Sequence, residues 1–217
     1  DHVAPAMWMT GKLKAYAIQE EPFFHQDADV FLWKKFPDRI LQSEMFAQHT
    51  ESISNNVNFN DVYGRYSGYL KSNDLVLNPY FDVAEKAYNV GVFGGNNIEM
   101  IRKFAKVSLD VVNNNADKWD HLDRKLGGLS YCNATIEQMS LYNFVQKENI
   151  NCSTLLPDDF GEPEANEMGY THLMRAKLSA ECENNLLLWK KIKERAEKLH
   201  PEHYYRAEKW INDGGFA

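Results

Sequence analysis

Nothing in this chain approaches the roughly 18 consecutive apolar residues that a membrane-crossing helix needs. Basic residues are also in short supply. Lys and Arg number 24 against 31 Asp and Glu, a net charge of −7. A nucleic-acid binder presents a basic face, so that class is set aside. Cysteine is scarce: Cys132, Cys152 and Cys182 are widely spaced and form no Cys-x-x-Cys pair. That excludes a zinc knuckle or redox motif, and three reduced thiols in a cytoplasmic protein are the simplest reading. Neither Gly-x-Gly-x-x-Gly nor Gly-x-x-x-x-Gly-Lys occurs, so Gly94-Gly95-Asn96 reads as a tight strand-to-helix turn, not a phosphate cradle. No secretory leader is read, and the opening Asp suggests a fragment or a trimmed product. Two acceptor-like triplets, Asn133-Ala134-Thr135 and Asn151-Cys152-Ser153, are of a kind that arises often by chance.

What is present is the composition of an ordinary globular protein, 44% hydrophobic and 25% charged over 217 residues. Thr10 is placed to cap a helix from Gly11 to Gln19 that ends before Pro22. Phe23 to Gln26 reads as a buried strand, and Val30 to Trp33 as a second apolar run. Pro37 to Gln42 suggests a helical turn and Met45 to Ala47 a short strand. Glu51 to Tyr80 is polar and rich in Tyr, and reads as a long functional loop with a short helix. Tyr88 to Phe93 is the next strand, followed by a helix capped by Asn96 and running to Val112. Ala134 to Lys147 predicts a helix, Asn151 to Leu156 a strand and Pro157 to Glu167 an acidic loop. From Arg175 to His200 apolar residues recur every three or four positions, which predicts a long helix stopped by Pro201, with a short tail. Alternating strands and helices predict an α/β domain over 1–174 with a helical extension over 175–217. That extension is expected to pack on the core or on a second copy, as in a homodimer.

Asp27-Ala28-Asp29 carries the chemistry. Two carboxylates just past a strand can both turn toward the space beyond its C-terminal end, where open α/β sheets bind ligands. Hard carboxylate oxygens suit Mg²⁺ or Mn²⁺, which then bridge to phosphate. With 14 Asp in the chain, chance alone gives about one Asp-x-Asp, so the triplet by itself also fits solvated turn carboxylates. Its setting argues otherwise: two Phe precede it and Val-Phe-Leu-Trp follows, and carboxylates among apolar residues are costly without a cation.

Lys12-Leu13-Lys14-Ala15-Tyr16, followed by the run from Pro22 through Asp27-Ala28-Asp29 to Trp33, resembles the helix, strand and Asp-x-Asp core of GT-A-fold glycosyltransferases. It is most similar to glycosyltransferase family 8 and to related uncharacterised bacterial proteins. Asn89-Val90-Gly91-Val92 resembles that family's Asn-x-Gly strand, Glu137-Gln138 its Asp-Gln pair, and Tyr170 to Lys177 its late His-to-Lys segment. Met139 replaces the family's following Asp, and the spacing from His172 to Lys177 is one residue short. The resemblance implies a mixed sheet flanked by helices, with Asp27, Asp29 and His172 binding Mn²⁺ or Mg²⁺. It implies that Asn89, Gly91 and Lys177 contact the donor, and that Glu137 and Gln138 face the reacting sugar. The family carries more chain before its Asp-x-Asp than the 26 residues here, so either that part of the fold lies outside this chain or another segment supplies it.

The residue chemistry agrees with these assignments. A neutral imidazole at His172 completes an octahedron begun by two carboxylates, although a lone His is as often structural. Lys177 at a helix start would neutralise a leaving diphosphate, the alternative being a solvated lysine. Lys12 and Lys14 lie on different sides of one helix, so at most one of them points into the site, and Lys12 is preferred. The expected function is transfer of a sugar from a UDP- or GDP-sugar to an acceptor hydroxyl. The alternatives are a non-catalytic binding or structural protein of this fold, and a metal-dependent nucleotidyltransferase or phosphohydrolase.

Overall fold

The computed structural model describes residues 7–52, 65–82, 84–126, 128–158, 162–173 and 183–215. Lys177, Cys182 and residues 53–64 of the expected 51–80 loop lie outside the described residues. The protein is a mixed α/β structure that divides into two compact units, one of residues 1–27 with 36–168, the other of 28–35 with 169–217.

The first unit is built on strands β1 (Phe23–Gln26), β3 (Met45–Ser52), β4 (Lys86–Gly95) and β5 (Cys152–Thr154), arranged β1-β4-β3-β5. The first two pairings are antiparallel and β3 runs parallel to β5, so the sheet is mixed. Helices α1 (Met9–Ala17) and α4 (Ile98–Asn114) pack on each other and on the sheet. Leu13 and Tyr16 of α1 meet Phe93 of β4 and Ile101, Phe104 and Ala105 of α4 in the core. Rings pass the contact onward, Tyr16 to Phe93 at 5.0 Å, Phe93 to Phe104 at 6.5 Å and Phe104 to Phe144 at 5.5 Å. Each such pair adds roughly 0.5–1.5 kcal/mol beyond area burial.

The second unit pairs β2 (Val30–Leu32) with β6 (Tyr170–His172) as an antiparallel ribbon. The Trp33 amide donates to Gly169 O at 2.7 Å, and its indole N–H to Thr171 Oγ1 at 3.1 Å. Phe31 stacks on Trp33, and Arg195 lies over the same indole. Helices α9 (Glu183–Leu199) and α10 (Pro201–Asn212) run antiparallel, joined by Lys193 to Glu208 at 2.6 Å. No described helix is long and apolar enough to cross a membrane.

Several elements depart from their expected form, each for a local reason. Strand β1 is not buried: Phe24 is 52% exposed, because β1 is an edge strand with its partner β4 on one side. Helix α1 starts at Met9, not after Thr10, since Met9 N–H is taken by the buried Asn133 side chain. Asn133 is thereby buried and hydrogen-bonded, unlike a glycan acceptor. The cap of α4 is Asn97, accepting from Met100 N; Asn96 instead donates to Leu41 O and Ser43 O. Strand β3 extends five residues past its apolar start, through Gln48 to Ser52, which no hydrophobic period could reveal. The expected acidic loop contains α8 (Glu162–Met168). Pro201 opens α10 at its first turn, where a missing N–H is harmless, rather than ending in a tail. An unforeseen helix, α5 (Trp119–Leu126), is anchored by Trp119, whose indole donates to Val112 O at 2.8 Å. The expected 134–147 helix is three pieces: α6 (Ser130–Ala134), a π-helical turn over Thr135–Met139, and α7 (Ser140–Lys147).

Strand β4 ends in two glycines because neighbours press on both. A Cβ at Gly95 would lie 2.1 Å from Glu44 O, at a φ of +147°. Gly95→Ala is expected to destabilise the protein by about 3 kcal/mol or more, from strain and backbone clash together. Gly128→Ala shares the positive φ but meets nothing within 4 Å, so strain alone should cost about 1–2 kcal/mol. Urea unfolding of both variants checks the difference.

Candidate metal centre and its buried ion pairs

The chain enters the site along β1, whose last residue pairs with Val92 of β4. Between Ala47 and His49 the β3–β4 register shifts: Ala47 faces Phe93, yet His49 faces Asn89. Val90, Gly91 and Val92 therefore oppose Gln48 alone. Such bulges re-aim the chain beside functional sites. Here the Asn89 side-chain oxygen accepts from Gly91 N at 3.0 Å, and Gly91 O accepts from Asp27 N at 2.9 Å. Asn89 Nδ2 also donates to Glu51 Oε1 at 3.1 Å, so each polar atom of the amide makes one bond within the protein. Asn89 and Gly91 thus hold the backbone that presents Asp27.

The Asp27 carboxylate is gripped from two sides. Lys12 Nζ lies 2.9 Å from Oδ1, and His25 Nε2 donates to the same oxygen at 3.0 Å. His25 lies on β1 and Asp27 one residue past its end, and the two-residue spacing puts both on one side of the chain. Lys12 also reaches Glu137 Oε1 at 3.2 Å, while Lys14 is exposed. Glu137 sits in the π-helical turn and is 0% exposed, and its Oε2 has no hydrogen-bond partner among the described residues. Gln138, half-buried, follows it. Single π turns inside helices are frequent at functional sites.

These neighbours set the charges. Burial pushes the Glu137 carboxyl above its ordinary range, although Lys12 pulls it down. Burial would likewise lower the Lys12 ammonium, but Glu137 and Asp27 outweigh it and hold its pKa up. Burial would raise Asp27, but the His25 hydrogen bond and Lys12 hold it below the usual carboxylate range. Tyr16 is pushed well up, by burial first and then by Glu137 and Asp27.

The other ligands expected from sequence are positioned by the ribbon. Register places Val30 opposite His172, and Leu173 N donates to Asp29 O at 2.9 Å. That pairing brings His172 Nε2 to 3.6 Å from Asp29 Oδ1, although 142 residues separate the two along the chain. One ligand atom each from Asp27, Asp29 and His172 lie within 4.8 Å of one another. That span is about twice a metal–oxygen bond of roughly 2.1–2.6 Å, so a single cation placed among them reaches all three. Two carboxylates and an imidazole fit Mn²⁺ or Mg²⁺ better than a soft metal.

The sequence reading missed His25 and the pair of buried His49 and half-buried Glu51, 3.8 Å apart. The i, i+2 spacing of His25 and Asp27 was the available signal for the first. The second lies in the polar half of β3, which carries none.

The chain belongs to a family of unknown function (DUF6734), whose profile matches residues 1–210. No curated protein and no solved structure matches it.

Glu137 yields a test of these electrostatics. Its folded pKa is raised, so its contribution to stability is fully present below the ordinary 4.5 and is lost as pH rises through the folded value. Lys12, Asp27 and His25 are the charged groups acting on it. Glu137→Gln cannot ionise and is expected to remove this decline, so its stability relative to wild type increases above pH 4.5. Chemical denaturation across pH 4–8 measures the difference; parallel curves for the two proteins would contradict it.

Proposed function

We propose that this member of the family is a metal-assisted glycosyltransferase of GT-A-like fold, moving a sugar from a UDP- or GDP-sugar to an acceptor hydroxyl. The grouping of ligand atoms from Asp27, Asp29 and His172 within 4.8 Å carries the reading. It is the ligand set that the resemblance to glycosyltransferase family 8 implies. The mixed sheet, the bulge behind Asp27 and the half-buried Lys12 beside it lend further support.

Bound at these three residues, Mn²⁺ or Mg²⁺ would supply Lewis-acid stabilisation of the departing diphosphate. In the reaction the bond from the anomeric carbon to the diphosphate oxygen breaks, and one to the acceptor oxygen forms. The proton that the acceptor hydroxyl loses passes to the departing diphosphate. Asp27 and Asp29 present anionic oxygens, and His172 a ring nitrogen. Asn89 and Gly91 keep Asp27 in place and stand where the donor sugar is proposed to lie. Lys177 is assigned to neutralising the diphosphate. Glu137 is fully buried, so its proposed role runs through Lys12 rather than through contact with the sugar. Gln138 is the half-buried neighbour proposed to face the sugar.

One observation favours a second reading. Asp27 Oδ1 is already satisfied by Lys12 and His25, which suits a non-catalytic protein whose acidic group is neutralised internally. A nucleotidyltransferase or phosphohydrolase would use the same ligands.

Removing one metal ligand costs at least about tenfold in affinity, since even outer-shell changes cost 10–100-fold. Asp29→Ala and His172→Ala are each expected to weaken Mn²⁺ binding by that much, and to abolish Mn²⁺-dependent turnover of UDP- or GDP-sugars. Calorimetric titration and release of nucleoside diphosphate are the measurements. Metal binding without nucleotide affinity would favour the second reading, and unchanged binding in both variants would remove the proposed centre.

A further inference from the structure

We propose that Lys12 is the resident counter-cation of Asp27, and that a divalent ion entering the site displaces it onto Glu137. The inference rests on the metal-binding part of the reading above, not on sugar transfer.

One ammonium bridges two carboxylates, at 2.9 Å from Asp27 Oδ1 and 3.2 Å from Glu137 Oε1. The Lys12 side chain is 13% exposed, so water screens it little. A divalent ion bound to Asp27 would lie beside that ammonium, and two cations on one partly buried carboxylate repel strongly. Lys12 therefore opposes metal entry unless it has somewhere to go.

Glu137 supplies that place. Its Oε1 already touches Lys12, and its buried Oε2 has no hydrogen-bond partner among the described residues. A buried carboxylate oxygen left without a donor is costly, and a purely structural ion pair has no reason to retain one. A lysine that leaves Asp27 can donate to both oxygens of Glu137 at once. The ammonium suits this movement, having three rotatable donors on a flexible stem, where an arginine fork would be committed to one geometry. The π-helical turn over Thr135–Met139 is the local departure from α-helix that carries Glu137. Trp8, whose ring centroid lies 5.6 Å from Lys12 Nζ, flanks the ammonium.

Lys12 and Glu137 are then positioning residues that set how readily Asp27 accepts a metal. The energetic signature is coupling: Glu137 affects metal affinity only while Lys12 is present.

The test uses the whole chain, stripped of metal with chelator, with Mn²⁺ binding followed by the electron paramagnetic resonance signal of free Mn²⁺. The proteins are wild type, Lys12→Met, Glu137→Gln and the double variant, each checked by thermal unfolding. Lys12→Met is expected to bind Mn²⁺ at least about tenfold tighter than wild type. Glu137→Gln, which strands Lys12 on Asp27, is expected to bind about fivefold weaker. The double variant is expected to match Lys12→Met within about twofold. If Lys12→Met does not fold, the double variant, which leaves no unpaired buried charge, still must bind at least about tenfold tighter than Glu137→Gln. Affinity unchanged or weakened on losing Lys12 overturns the inference. So does a fivefold gap between the double variant and Lys12→Met, because Glu137 would then act through its charge alone. A wild type that binds no Mn²⁺ overturns the metal centre as well, whereas a wild type that binds while Lys12→Met is unchanged overturns this inference only.

Discussion

Asp27 cannot remain ionised where it is without positive charge within bonding distance. A half-buried carboxylate in an apolar setting takes up a proton unless donors compensate it, and Lys12 and His25 both do so on one oxygen. Much of the surrounding first unit serves that contact. Helix α1 buries Leu13 and Tyr16 against β4 and α4, and the same turn of helix delivers Lys12. The π-helical turn delivers the second carboxylate, Glu137, to the other side of the ammonium.

The backbone obeys a matching constraint. Strand β1 stays in register with β4 up to Gln26 and Val92, and the next amide, Asp27 N–H, is held by Gly91 O. Without the β4 bulge, Gly91 would lie in regular pairing with β3. With it, Asn89 bonds back to Gly91 N and out to Glu51, which ties the bulge to the polar end of β3. The polar run of Gln48 to Ser52, buried but for half-buried Glu51, thus belongs to the support of the site.

How much of this was readable in the sequence depended on the kind of signal each element carries. Helix α4 was legible because Ile101, Ala105 and Val112 repeat at helical spacing and all three are buried. The Asp27-Ala28-Asp29 triplet stood out from its apolar flanks. Helix geometry gave only that Lys12 and Lys14 face different ways; the structure places Lys12 against two carboxylates with Lys14 exposed. The second half of β3 was not legible, because five polar residues in a row carry no hydrophobic period, and only their bulged partner strand explains their burial. The π turn was equally hidden: one extra residue in a helical turn leaves no trace in a pattern with a period near 3.6. The edge position of β1 is a property of the assembled sheet, and Phe23-Phe24 gave the opposite impression.

Charge then links the site to its chemistry. The chain carries a net charge of −7, and Lys12 lies between two carboxylates of the candidate site, Asp27 and Glu137. Such a site repels a diphosphate. Lys12 does not reverse this, because its charge is already shared between Asp27 and Glu137. On the proposed reading, a divalent ion would add two positive charges where phosphate oxygens are proposed to arrive, and would free Lys12 from Asp27. Acidic ligands, an internal lysine and a buried carboxylate to receive it are therefore one electrostatic arrangement. On that proposal the metal precedes or accompanies an anionic substrate, and in its absence Lys12 helps hold the Asp27 carboxyl below the usual carboxylate range.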